Sequence, residues 1–336
     1  VQLERAREIL HRAAEHRERF QAALASADGG LGLRISDGVL ADLRFLDSIA
    51  LGCRLEALAA AEALAENEPE AALPPLATML RAARLVGAEW NVTTRVSAAN
   101  LRADALDVLQ AIAAHDYATR DTHEQLLEML TLETADWPSD AQAWIGDRAA
   151  GLAVYELVRD GYYLSLLSPE EMQRLQEQRL VPATAQAVHR NLDGDELFYL
   201  QAMRRIIASC EQPYYQRAAV LNEIRGELAA LEQTGDYPMV AGELLLGDFA
   251  TGHRRQAEDL TRCTAVSTAL LAATGQPLAP APLSCLTGQP IDIERTPLGI
   301  QVLGWSLDRA PLEIPLRPLP RAARASLQDD EVTTDK

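Results

Sequence analysis

Apolar residues recur every three or four positions over most of this chain, the spacing that gathers them on one stripe of an α-helix. Between Asp42 and Ala65 the stripe runs through Leu43, Leu46, Ala50, Cys53, Ala57, Ala60 and Leu64. Asn67 then offers an N-cap, Glu68 and Pro69 fall in the next turn, and the period resumes through Leu76, Leu80, Ala83 and Val86 as far as Gly87. Pro74 and Pro75 remove backbone donors and are expected to delay or kink this second helix. A third helix is predicted from about Val92 to Ala114. Helices joined by such short turns form antiparallel hairpins, and hairpins in series resemble a tetratricopeptide-type array. No fixed repeat length accompanies them, so an irregular bundle explains the pattern equally well.

Helix starts are well marked further along. Trp137-Pro138-Ser139-Asp140 opens a helix predicted to run to about Arg159 and stop near Gly161. Ser168-Pro169-Glu170-Glu171 combines a capping hydroxyl, Pro at the first helical position and carboxylates where the helix dipole favours them. Asp193-Gly194-Asp195-Glu196 opens another, with Asp193 or Asp195 as the cap, and Gln212-Pro213 closes it. Two more are predicted at about 216–234 and 239–273, the second weakened by Gly242, Gly247 and Gly252.

The period changes after Ala279-Pro280-Ala281-Pro282. Ile291 and Ile293 alternate with acidic residues, Pro297 and Gly299 supply a turn, and Ile300 and Val302 alternate again, which predicts a β-hairpin. Leu312, Ile314 and Leu316 also alternate, but Pro311, Pro315 and Pro318 restrict a third strand to an edge. The fold class is therefore all-α, an irregular α-hairpin array or bundle with a small C-terminal β-hairpin packed on the last helix. Four regions follow: helical hairpins over 1–115, a continuous helical region over 116–278, the hairpin appendage over 279–320, and a polar, acidic, disordered tail over 324–336.

Composition narrows the partners. At 336 residues and 48% hydrophobic content the chain can bury a substantial core. A net charge of −18 repels a phosphate backbone and an anionic membrane surface, so nucleic acid is excluded as a partner. All cations but Lys336 are Arg, which a base-composition bias in the genome explains. No apolar run is long enough to span a bilayer. The chain opens at Val1, already inside a helical pattern, and a preceding segment is expected. Membrane attachment would rest on an anchor in that segment. The four cysteines lack zinc-type spacing; Cys53 and Cys210 read as small buried residues, and Cys263 and Cys285, which bracket the change from helix to strand, are the expected disulfide pair in an exported chain.

Candidate chemistry is sparse. Asn191, Asp193 and Asp195 have the spacing of the first EF-hand ligands, but Glu196 and Ala202 stand where Gly and Glu are needed. His123-Glu124 lacks the second His of HExxH, because Leu127 occupies its place. A metal-assisted hydrolytic site from His115, Asp116, His123 and Glu124 is the enzymatic alternative. No GxSxG, P-loop or strand-linked GxGxxG is present, no catalytic residue is assigned, and no cofactor is expected. Tyr155, Tyr162, Tyr163, Tyr199, Tyr214 and Tyr215, with Phe198 among them, are the one aromatic concentration in a chain only 5% aromatic. They suit a binding surface, but packing between the helices around 150–165 and 196–220, with hydroxyls at the rim, is the favoured reading.

The stretch from about Asp195 to Ser306 resembles the C-terminal part of a group of exported helical proteins abundant in planctomycetes. The residues that carry the likeness are Pro282-Leu283-Ser284, Thr287-Gly288-Gln289-Pro290-Ile291, Glu294-Arg295-Thr296, Gly299 and Val302-Leu303-Gly304-Trp305-Ser306, with Pro213-Tyr214-Tyr215-Gln216-Arg217 upstream. The tail is also distantly similar to that of type II secretion pseudopilins, but Leu307-Asp308-Arg309 lacks the carboxylate cluster that binds calcium there. The resemblance implies export to the periplasm or cell envelope. The hairpin array, the expected missing start and the absence of catalytic motifs point to a non-catalytic interaction or scaffold protein with a protein partner, and the tail hairpin leaves a pseudopilin-like assembly subunit as a third reading.

Overall fold

The computed structural model describes residues 2–27, 31–35, 38, 41–178, 181–276, 280–297 and 299–316. The acidic tail at 324–336 lies outside them. Among the described residues, helices dominate and a small antiparallel sheet closes the chain, which is the expected all-α class with its C-terminal β unit.

The first five helices are α1 (Gln2–Ser26), α2 (Phe45–Ala65), α3 (Leu73–Gly87), α4 (Val92–Ala114) and α5 (Arg120–Ala135). Asn67 proves to be the end of one helix, not the start of the next. Its φ of 65° is left-handed, its N–H donates to the Leu64 carbonyl at 3.0 Å, and the Glu68 N–H reaches the Ala63 carbonyl at 2.9 Å. Those two bonds satisfy the last carbonyls of α2 as a Schellman cap. A 3₁₀ turn at Pro69–Ala72 follows, so Pro74 and Pro75 fall in the first turn of α3, where no donor is required and no kink results. Asn91 caps α4, accepting from the Thr93 and Thr94 N–H groups at 2.8 and 3.3 Å.

Next come α6 (Asp140–Arg159), α7 (Pro169–Glu177), α8 (Val181–Arg190), α9 (Leu192–Ser209) and α10 (Tyr214–Thr234). The helix predicted over 239–273 is broken. Val240–Leu245 forms a π-helical turn, and α11 (Phe249–Thr274) begins after Gly247-Asp248. Asp195 is not the cap of its own helix either. Its carboxylate accepts from the Val240 and Ala241 N–H groups at 2.8 and 2.9 Å and so caps the π turn, while its third partner is the Tyr155 hydroxyl at 2.6 Å.

Among the described residues, most buried apolar side chains fall into two clusters. The first joins α2 to α5, the C-terminal half of α11 and the sheet; the second joins α6, α9, α10, the π turn and the start of α11. Burying each Leu, Val or Met of α3, such as Leu76, Met79 and Val86, stabilises the first cluster by about 1.5–3 kcal/mol over leaving it exposed. The sheet order is β1 (Asp292–Thr296), β2 (Gly299–Leu303), β3 (Leu312–Ile314), with Ile293 opposite Val302 and Ile300 opposite Ile314. Ile300, Val302, Ile314 and Leu316 face the first cluster. Gly299 is required where it stands: its φ is 154°, and a Cβ there would lie 2.2 Å from the Ile314 carbonyl oxygen.

Candidate functional site

Where the two clusters meet, the interior turns from apolar to ionic. Arg95 and Arg102 lie two turns apart on one face of α4, and both are buried. Arg102 donates through Nε to Glu133 Oε1 at 2.9 Å, pairs through Nη1 with Asp259 of α11, and stands 4.6 Å over the Trp137 ring. Burial pulls its pKa down, but Asp259 and Glu133 outweigh that and hold it above the ordinary arginine value. Arg95 donates to the carbonyls of Pro138 and Ser139 at 3.2 and 2.9 Å, just ahead of α6. Burial brings its pKa down to about 10.

A second set continues the seam. Arg217 of α10 pairs with Asp140 at 2.7 Å, donates to the Cys210 carbonyl at 3.2 Å and lies 3.4 Å from His253 Nδ1. His253 is wholly buried and stacks on Trp144, with ring centroids 4.3 Å apart and planes 13° from parallel. Trp144 Nε1 in turn donates to Gln256 Oε1 at 3.1 Å. Burial first and Arg217 second push His253 down to about 3, so it stays neutral at physiological pH. Arg95, Arg102 and Arg217 balance Glu133, Asp140 and Asp259, and this balance is what makes so many buried charges tolerable.

Asp259 also forms part of the floor of an open groove of about 400 Å³ between α4, α11 and the turn after β2. Ala99, Ala103, Trp305 and Leu307 give it apolar surface, and Arg254, Arg255 and Arg262 line it beside them. Leu307 is 54% exposed. Arg254 and Arg255 share one carboxylate, Glu258, at 3.5 and 3.4 Å, while Arg262 pairs with Asp107 at 2.6 Å.

The residues singled out from sequence are placed otherwise. Tyr155, Tyr163 and Tyr199 are enclosed in the second cluster, and Tyr214 packs against it. Tyr155 and Tyr199 lie 5.7 Å apart and give their hydroxyls to Asp195 and to the Asp147 carbonyl, so these two serve as packing, with their hydroxyls satisfied inside the protein. Tyr162 and Tyr215 are exposed; the N–H of Tyr215 reaches the Cys285 carbonyl at 3.4 Å, and its ring stands against Gly288. His115 and His123 do not form a metal site. Their Nε2 atoms lie 2.9 and 3.0 Å from the carbonyls of Leu64 and Ala113, Glu124 pairs with Arg120, and among the described residues no group of three or more His, Cys, Asp or Glu, Asp116 included, is placed to hold a metal. Cys263 and Cys285 are free thiols. Cys285 meets the α11 face of Ala257 and Thr261, at 3.3 and 3.0 Å, whereas Cys263 shares a face with Asp259; two residues along a helix are about 200° apart, which points the thiols away from each other.

Family models, curated proteins and solved structures give no match to this chain. The site therefore rests on its own geometry.

One buried carboxyl close to the seam makes stability depend on pH. Asp147 of α6 accepts from the Val92 N–H at 3.0 Å, and burial pushes it up to about 6. Between an unfolded value near 3.8 and about 6, the folded protein keeps this proton and the unfolded chain does not, so stability falls as pH rises through that window. The loss is complete above about 6 and is on the order of 3 kcal/mol. Asp147→Asn retains an acceptor for Val92 and is expected to be more stable than the parent at pH 7 and nearly equal to it at pH 4. Urea titrations at both pH values read this, and an equal difference at the two would refute it. His253 has the opposite sign, its contribution being present above about 6.5 and lost toward 3, so the single-variant comparison is needed to separate them.

Proposed function

We propose that the protein is a non-catalytic interaction protein of the cell envelope, which docks a protein segment in the groove between α4, α11 and the turn after β2. The observation that carries this reading is the composition of that groove. Exposed Leu307 with Trp305, Ala99 and Ala103 offers apolar contact, and Arg254, Arg255 and Arg262 stand beside it among the carboxylates Glu258, Asp259 and Asp308. Arg and aromatic side chains are the residue types that dominate the binding energy of protein interfaces. A partner segment carrying apolar and carboxylate side chains fits this surface, its acids pairing with the exposed Arg254 and Arg255.

The test is crosslinking and affinity capture of the full-length protein from its native cells, compared with a Leu307→Asp/Arg255→Glu variant. Both positions are surface residues, so the fold is retained. Reproducible envelope proteins captured by the parent are expected to fall about tenfold in the variant, the effect of losing about 1.4 kcal/mol. Equal capture by both proteins would discard the groove, and recovery of the protein only from the cytosol would discard the location.

A further inference from the structure

We infer that a single water molecule is bound inside the protein between α4, α6 and α11, with Arg95 and Gln256 as its donors and Asp140 and Asp259 as its acceptors. The structure has a small pocket of about 10 Å³ there, its lining made up of these four residues with Arg102, Trp137, Gly87 and Ala98. That volume is the room of about one water-sized sphere.

The chemistry of the lining selects the occupant. Arg95 is 6% exposed and Gln256 5%, and each holds a buried nitrogen, Nε and Nε2 respectively, that has no protein partner. The other groups of both side chains are engaged: the Arg95 Nη atoms with the carbonyls of Pro138 and Ser139, and the Gln256 oxygen with Trp144. Leaving two buried donors unmet costs about 1–3 kcal/mol each. On the acceptor side, Arg217 takes Asp140 Oδ2 and Arg102 takes Asp259 Oδ2, so the Oδ1 atom of each carboxylate is outside these pairs. Two donors and two acceptors around one sphere are the full complement of a tetrahedral water.

An ion fits worse. An anion is attracted by Arg95 but meets Asp140 and Asp259, and a cation meets Arg95 and Arg102. The seam is already charge-balanced, and a neutral molecule with both donor and acceptor capacity leaves it so. The bound water links the helix that carries Arg95 in the first cluster to the helix start at Asp140 in the second, so it belongs to the joint between them. The proposal is independent of what occupies the outer groove.

High-resolution diffraction from the intact protein tests this, with a parallel data set from crystals soaked in bromide. The expected result is one spherical peak within hydrogen-bond distance of Arg95 Nε and Gln256 Nε2, with no anomalous signal at that place. An empty pocket, in maps where other internal waters are seen, overturns the inference; so does a bromide peak, which assigns the site to an anion. In solution, magnetic relaxation dispersion of water oxygen-17 is expected to lose one long-lived molecule in Gln256→Leu relative to the parent. If that variant does not fold, the diffraction from the parent protein decides alone.

Discussion

Arg102→Met is expected to destabilise the fold by about 3–5 kcal/mol, because it leaves Glu133 and Asp259 buried without the guanidinium that pairs with both. The side-chain exposures of the three groups are 3%, 3% and 7%, so water cannot take over the role of the guanidinium. The variant also loses the contact over Trp137. The informative comparison is the triple variant Arg102→Met/Glu133→Leu/Asp259→Leu, which removes the charges together and is expected to recover most of the loss. Urea denaturation at pH 7 measures both. A single variant within about 1 kcal/mol of the parent would show that the ionic seam contributes no more than a surface pair does.

Asp195→Ala is expected to cost about 3–6 kcal/mol, since one carboxylate satisfies three buried donors and each left unmet costs about 1–3 kcal/mol, with some relaxation. The damage should be local before it is global. The π turn at Val240–Leu245 loses the cap on its first two N–H groups, and native-state hydrogen exchange at Val240 and Ala241 should rise ahead of exchange in α3 or α4. Exchange rising uniformly through all helices would mean that Asp195 supports the whole fold and not this turn in particular.

Most helix boundaries were legible because a few local residues decide them. Pro138-Ser139-Asp140, Ser168-Pro169 and Gly87 each mark an end by what their backbone can or cannot do, and the elements begin or stop there. Asn67 was misread for the same local reason: Asn serves both as an N-cap and as a left-handed residue after a helix, and only the bonds back to Ala63 and Leu64 separate the two. The ionic seam was missed because it depends on residues far apart, Arg102 and Asp259 being 157 positions from each other. A signal did exist. Arg95, Ala98, Arg102, Ala105 and Leu109 step by three and four, as do His253, Gln256, Asp259 and Cys263, so polar residues stood in the apolar stripes of two helices. The tyrosines drew attention by composition alone, and composition does not distinguish a face that meets solvent from one that meets another helix.

Because α11 gives its first turns to one apolar cluster and its last turns to the other, neither cluster can melt without stripping burial from a helix the other needs. The 26-residue helix thus acts as a common spindle, making the stability of each half a condition of the other's and turning two modest cores into one cooperative unit.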